Sequence, residues 1–208
     1  VGCGQPSCKV GCDCDRFLEI WNLVFMQYDR DESGKLSPLP NPCIDTGMGL
    51  ERLAAVVQGR TTNYDTDLMM SIINEAARIT GKEYGKQDEV NVSLRVLTDH
   101  ARASAFLISD GVIPSNEGRG YVLRKIMRRG LRHGKLLGQK GPFFHRITSK
   151  VIDDFREAYP DLNNNKYFIQ KVVINEEESF GNTLHYGTQR LEEILEKDFG
   201  ISKYFSYI

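Results

Sequence analysis

The hydrophobic pattern of the sequence changes near residue 59, and this change limits the folds that the chain can adopt. Before it, residues 17–28 form a continuous run of apolar, aromatic and β-branched side chains, which predicts a strand buried on both faces. After it, apolar residues recur every three or four positions in one segment after another, which predicts helices. We therefore expect an α+β protein with two domains, residues 1–58 and residues 59–208.

The first part predicts two strands followed by a helix. Residues 29–35 form a polar turn, and the three prolines of residues 36–42 favour an extended chain that leads into the second strand. Ile44–Gly49 is a glycine-rich turn, and Leu50–Val57 has helical spacing. The expected order is therefore a strand hairpin, a glycine-rich turn and a helix.

The second part predicts a helical domain. Residues that favour helix N-termini and glycines that end helices separate its periodic segments. Residues 112–118 form a loop. The predicted helices cover residues 68–80, 93–109, 119–137, 143–155 and 167–197.

The composition is typical of a globular protein and not of a membrane protein. The 208 residues include 40% apolar residues, enough for a sizeable core, and a formal net charge of −1. The sequence has no apolar run long enough for a transmembrane helix and no opening signal segment, so we expect a cytoplasmic protein without a membrane partner. The chain begins at Val1, inside a cysteine-rich stretch, which indicates a fragment of a longer protein.

Four of the five cysteines fall within twelve residues: Cys3, Cys8, Cys12 and Cys14. Clustered thiols in a cytoplasmic chain favour a metal over disulfides, and thiolates bind Zn²⁺ tetrahedrally. However, the spacing lacks the paired C-x-x-C motifs that are typical of zinc sites. Two interpretations therefore stay open, a structural zinc ion and reduced cysteines in a flexible insertion.

A basic stretch points to a polyanionic partner. Gly118–Lys150 contains ten basic residues and no acidic one, and several arginines share one face of the predicted helix. A solvated surface is the alternative, but uncompensated arginines favour phosphate contacts, and the lack of an aromatic platform favours a duplex over a single strand. The residues assigned to nucleic acid are Arg119, Arg124, Arg128, Arg129 and Arg132.

Asp45–Arg52 suggests a small-molecule site. Its glycines let a ligand approach the backbone, Asp45 can hold an ammonium group, and Arg52 can pair with a phosphate. The alternative is an ordinary glycine turn with a surface arginine. Glu19, Trp21 and Asn22, which are polar or bulky residues within an otherwise apolar strand, support a site because a buried carboxylate and a buried amide need partners.

Together these segments resemble the alanyl-tRNA synthetases, a family of class II aminoacyl-tRNA synthetases. The resemblance spans about residues 15–197 and rests on Glu19–Phe25, Ile44–Ala54, Thr98–Arg102 and Asp110–Arg124. It implies that residues 1–58 are the C-terminal part of an antiparallel catalytic sheet. It also implies that residues 59–208 are a truncated, mainly helical tRNA-recognition domain.

The resemblance also implies roles for single residues. Arg52 and Gly49 would bind ATP, and Glu19 would hold the Mg²⁺ that accompanies it. Asn116 would read a G·U pair in the acceptor stem of tRNA(Ala) from the minor groove, which suits an amide that both donates and accepts. The residues implied for L-alanine are Asp45, Gly47, Asn22 and Val24.

The sequence departs from the family pattern at both ends. Class II motifs 1 and 2 would precede Val1, the editing domain would follow residue 197, and the tail of residues 199–208 does not continue the expected pattern. The resemblance implies that the parent enzyme activates alanine with ATP and transfers it to tRNA(Ala), and that the fragment alone is inactive. The alternative is a non-catalytic RNA-binding module with a vestigial nucleotide pocket.

Overall fold

The computed structural model describes residues 2–12, 14 and 16–199, and the chain divides into two compact units between Thr66 and Asp67. The pattern change at residue 59 lies in the turn after the first α-helix, within the first unit. The regular elements of this unit are β1 (Trp21–Arg30), β2 (Leu36–Met48), α1 (Leu50–Val57) and a short 3₁₀ helix (Asn63–Asp65).

The predicted hairpin is confirmed. β1 and β2 pair antiparallel, and in the turn between them the amide of Gly34 donates to the carbonyl of Asp31 at 2.9 Å. Gly34 has a φ of +86°, which a glycine adopts without strain. The register shifts between Met26 and Tyr28, opposite a stretch of β2 whose three prolines lack the backbone N–H groups that a regular ladder uses.

The prediction that β1 is buried on both faces is wrong for the described part of the chain. Every residue of β1 is exposed, and Phe25 retains 65% of its accessible surface. The glycine-rich segment is also more extended than expected, because β2 continues through Gly47 to Met48 before α1 begins. The apolar run therefore specifies a strand whose two faces are left open by the described residues.

The second unit is helical and builds its own core. Ile72, Leu97 and Ile147 are fully buried and belong to one apolar cluster shared by several helices. Among the described residues, no helix combines the length and the apolar character needed to cross a bilayer. The helices of this unit are α2 (Asp67–Thr80), α3 (Asp88–Ser109), α4 (Gly118–Leu136), α5 (Phe144–Phe155), α6 (Pro160–Asn164) and α7 (Lys166–Phe199).

Two glycines allow close packing of α4. A Cβ atom at Gly134 would lie 1.9 Å from the ring of Phe143, and one at Gly130 would lie 2.8 Å from the ring of Phe144. Both phenylalanine side chains are almost fully buried. The rings thus occupy the space that larger residues on α4 would need, and this fixes how α4 meets the start of α5.

Candidate functional site

One face of the hairpin brings together four of the predicted site residues. Asn22 lies opposite Gly47, and Val24 lies opposite Asp45. Side chains two residues apart on a strand point to the same side, and directly opposed residues share a face. Asn22, Val24 and Asp45 therefore surround a position where Gly47 contributes no side chain.

This face is open in the described chain. A Cβ atom at Gly47 would meet no other described atom within 4 Å, and Asn22, Val24 and Asp45 are all exposed. One oxygen of Asp45 accepts a hydrogen bond from the amide of Thr46 at 3.0 Å. A carboxylate beside a small gap on an extended backbone suits a compact ligand that carries an ammonium group.

Glu19 and Arg52 join the segment before β1 to the start of α1. Arg52 Nη1 donates to the backbone oxygen of Glu19 at 2.7 Å, and Gly49 N donates to the oxygen of Ile20 at 3.0 Å. A Cβ atom at Gly49 would lie 3.3 Å from Cδ of Arg52, so the absence of a side chain lets the arginine fold back across this position. The guanidinium of Arg52 is thus held beside the strand that carries Asn22.

The side chain of Glu19 also reaches the hairpin face. Asn22 Nδ2 lies 3.5 Å from Glu19 Oε1, at the outer limit of a hydrogen bond. Sequence reasoning expected partners for these two polar groups because it placed them in a buried strand. The contact between them exists, although both residues are exposed in the described chain.

In the second unit, the loop before α4 is fixed by Arg124. Its Nη1 donates to Oδ1 of Asn116, and its Nη2 donates to the carbonyl of Pro114 at 3.2 Å. The loop also lies tightly against α4, because a Cβ atom at Gly120 would come within 2.3 Å of Ser115 Oγ. The amide of Asn116 is consequently exposed on a loop that two separate contacts hold in place.

A buried carboxylate corrects the interpretation of Arg124 and Arg128 as uncompensated cations. Glu176 on α7 accepts a hydrogen bond from Arg128 Nε at 2.7 Å and from Arg124 Nε at 3.2 Å. Glu176 is only 6% exposed. The stretch of residues 118–150 has no acidic residue in sequence, but two of its arginines share one carboxylate about fifty positions further on, which offsets one of their two positive charges.

The other arginines assigned to nucleic acid differ from this pair. Arg119, Arg129 and Arg132 lie on α4 and are exposed. The arginines of α4 therefore divide into an exposed group and a half-buried pair held by Glu176.

Sequence reasoning missed the two carboxylates of α7. Glu177 accepts hydrogen bonds from the amides of Phe143 and Phe144 at 2.8 and 3.1 Å, so it caps the start of α5. Glu176 and Glu177 follow Ile169 and Val173 at helical spacing and occupy positions where the apolar face of α7 would continue. Acidic residues at these positions are the signal that would have predicted buried partners.

The four clustered cysteines can hold a metal ion. Their Sγ atoms all lie within 4.8 Å of one another, and all four are free thiols. The backbone N–H of Arg16 lowers the pKa of the Cys14 thiol to about 7, whereas the neighbouring Cys14 raises the pKa of Cys8. The backbone N–H of Gln5 lowers the pKa of the Cys3 thiol.

Comparison with known proteins gives a family match over nearly the whole chain. The sequence model of the family described as tRNA synthetases class II (A) matches residues 2–205. This match extends beyond residues 15–197, on which the resemblance rested, and into the tail of residues 199–208. Residues 200–208 of that tail lie outside the described part of the chain.

Curated relatives agree with the family match. The chain is 54% identical over 195 residues to an alanine-tRNA ligase from Desulfosudis oleivorans, a match that covers 94% of this chain and 22% of the relative. It is 57% identical over 194 residues to one from Anaeromyxobacter dehalogenans, with 93% and 21% covered. A third, from Fusobacterium nucleatum, is 55% identical over 192 residues, with 91% and 22% covered. The chain thus spans about a fifth of the length of these relatives.

Proposed function

The chain belongs to the family of class II (A) tRNA synthetases, and on this premise we propose that it forms part of an alanine-tRNA ligase. The parent protein would activate L-alanine with ATP and transfer it to tRNA(Ala) in the cytoplasm. The observation that carries this proposal is the hairpin face on which Asn22, Val24, Asp45 and Gly47 meet.

The hairpin face suits alanine. Asp45 would hold the ammonium group of the amino acid, and Asn22 and Val24 would border its methyl group. Gly47 leaves space opposite Asn22, and the opposed pair Val24 and Asp45 lies next to that space on the same face. Selection of a small side chain would therefore depend on the two strands that form the site.

ATP would bind beside this face. Arg52 uses one N–H group to hold the carbonyl of Glu19, and a guanidinium has four further N–H donors for phosphate oxygens. The Glu19 carboxylate is exposed and offers the oxygen ligands that Mg²⁺ prefers, so it fits a metal that accompanies ATP. The cofactors that we propose are Mg²⁺ with ATP, and Zn²⁺ at the four clustered cysteines.

The two units would take different roles in the parent protein. The hairpin would belong to the antiparallel catalytic sheet, whose other strands would cover its exposed apolar residues. The helical unit would bind the acceptor stem of tRNA(Ala), with Arg119, Arg129 and Arg132 at phosphates. Arg124 and Arg128 would instead support the Asn116 loop through Glu176.

Asn116 would read the G·U pair in the acceptor stem. Arg124 donates to its Oδ1, so its Nδ2 is the donor that can reach an acceptor on a base edge. This contact supports a role in recognition, because it engages the oxygen of the amide and leaves its N–H donors for a base edge.

The test is aminoacylation by the full-length protein with tRNA(Ala) that carries either G·U or G·C at this position. Asn116→Ala should reduce kcat/KM on the G·U stem by a factor that corresponds to about 1–3 kcal/mol, and should reduce kcat/KM on the G·C stem much less. Arg119→Gln serves as a control that should weaken both stems by a similar factor. An equal loss on both stems for Asn116→Ala would show that the residue does not read this base pair, and no charging with alanine at all would refute the proposed function.

A further inference from the structure

The four clustered cysteines have the separations of a tetrahedral metal site. The Sγ atoms of Cys3 and Cys12 are 3.7 Å apart, and those of Cys8 and Cys14 are 3.5 Å apart. A disulfide would bring two sulfur atoms to about 2.05 Å. Four thiolates at about 2.3 Å from a central Zn²⁺ place their sulfur atoms about 3.8 Å apart. The observed distances fit the second arrangement and not the first.

Local turns bring the thiols together. Cys8 N donates to Gln5 O and Cys12 N donates to Lys9 O, both at 3.0 Å. Gly11 has a φ of +91°, a conformation that other residues rarely adopt. These contacts shape the backbone between the cysteines so that all four side chains point toward one position.

This segment has no apolar core of its own. None of its described residues is fully buried, and Val10 is 81% exposed. A short segment without a core does not compensate for the conformational entropy that ordering it costs. A structural zinc site supplies that stabilisation directly, because metal binding and folding occur together.

We infer that the four thiolates bind one Zn²⁺ in a closed structural site, and that this ion folds residues 2–12 and Cys14. The inference deepens the zinc proposal of the preceding subsection, rests on the separations of the four sulfur atoms, and is independent of alanine activation. Four protein ligands leave no open position on the metal, so the site has no catalytic role.

The zinc site lies immediately before β1 in the sequence, so the ion would also hold the segment that leads into this strand. Phe17 N donates to Cys14 O at 3.4 Å, and the next residues lead to Glu19, whose carbonyl is held by Arg52. The zinc site would thus anchor the segment immediately before β1. It would fix the start of the strand that carries Asn22 and Val24.

Metal analysis of the purified 208-residue chain tests the site. We expect about one zinc per chain, and Cys12→Ser or Cys14→Ser should lower this to less than about a fifth, since three thiolates do not close the site. Cys43→Ser is the matched control, because Cys43 is exposed in β2 opposite Met26 and should leave the zinc content unchanged. A metal-free wild-type chain, iron in place of zinc, or equal loss in the control would overturn the site.

Limited trypsin cleavage distinguishes zinc binding from the role of zinc in folding this segment. Removal of zinc with a chelator should speed cleavage after Lys9 by about tenfold or more, since the segment then opens. Cleavage after Lys35, which is exposed in the hairpin turn, should not change. Zinc at one per chain with no change at Lys9 would retain the metal but refute its role in folding. Neither result depends on whether the parent protein uses alanine.

Discussion

The two units of this chain bury their apolar residues to very different degrees. In the helical unit, Leu97 and Ile147 are fully enclosed by neighbouring helices. In the hairpin unit, Leu23 and Phe25 each keep more than half of their surface exposed on a two-stranded sheet. The same kind of apolar residue therefore stabilises one unit and is left uncovered in the other.

This difference separates stability from function. A two-stranded hairpin is marginally stable by itself, whereas helices around a shared core are self-supporting. Residues of the helical core should thus dominate the stability of the chain. Residues on the hairpin face should matter for ligand binding in the full-length protein.

The largest expected effect tests this contrast directly. Leu97→Ala should reduce the free energy of unfolding of the helical unit by about 2–5 kcal/mol, because it leaves a cavity in a filled core. Leu23→Ala, the matched change in β1, should alter it by less than about 0.5 kcal/mol. Urea unfolding of the 208-residue chain, followed by helical circular dichroism, measures both. Similar losses from the two variants would show that the hairpin contributes to the stability of the helices.

Changes on and beside the hairpin face should act on catalysis instead. In the full-length protein, Asp45→Ala should weaken the binding of alanine, and Arg52→Ala should weaken the binding of ATP. Each change should cost about 2–4 kcal/mol of transition-state stabilisation. Pyrophosphate exchange at varied alanine and ATP concentrations separates the two defects. If both variants keep the wild-type dependence on each substrate, these residues do not belong to the site.

A substitution that disturbs the packing of α4 should cause a somewhat smaller loss of stability in the helical unit. Gly134→Ala places a Cβ atom against the ring of Phe143 and should cost about 1–3 kcal/mol in stability. Gly187→Ala on α7 is the control, because a Cβ atom there meets nothing within 4 Å and alanine favours a helix. Thermal unfolding should show a loss for the first variant and no loss for the second; the reverse order would contradict the packing described for α4.

The smallest effect concerns the two groups of arginines on α4. Arg129→Gln removes an exposed cation and should reduce the salt dependence of RNA binding by about one unit of slope. Arg124→Gln should change that slope less, because Arg124 is half-buried and already bonded to Glu176 and Asn116. It should instead lower the preference for a G·U stem, because Arg124 holds Asn116 in place. Binding by the full-length protein at several salt concentrations checks the slopes, and equal slope changes would place both arginines at phosphates.

Much of the fold followed from the sequence. Helical periodicity correctly predicted that Leu94, Leu97, Ala101, Ala105 and Ile108 are buried, and the proline-rich stretch correctly predicted an extended second strand. The start of α3 at Asp88 and the short helix α6 were missed, since neither has a clear apolar repeat of its own. Burial of β1 was predicted from its composition alone, and composition does not specify which residues cover a strand.

The candidate site was predictable where residues are close in sequence. The glycines beside Asp45 and Arg52 indicated a ligand site, and strand alternation explains why Asn22 and Val24 share a face with Asp45. The role of Glu176 was not predictable from the basic stretch, because the carboxylate lies on α7 and only the fold brings it to Arg124. Charge counted along a sequence therefore overestimated the exposed positive charge of α4.

Alanine-dependent pyrophosphate exchange tests the central claim most directly, that the hairpin face is part of an alanine-activating site. Because Asn22, Val24 and Asp45 are exposed in the 208-residue chain, we expect that chain to show only background exchange, and the full-length protein to show exchange that requires alanine. Exchange well above background by the chain alone would show that the open face is already a complete site. Exchange by the full-length protein that does not depend on alanine would show that the hairpin face is not part of an alanine-activating site.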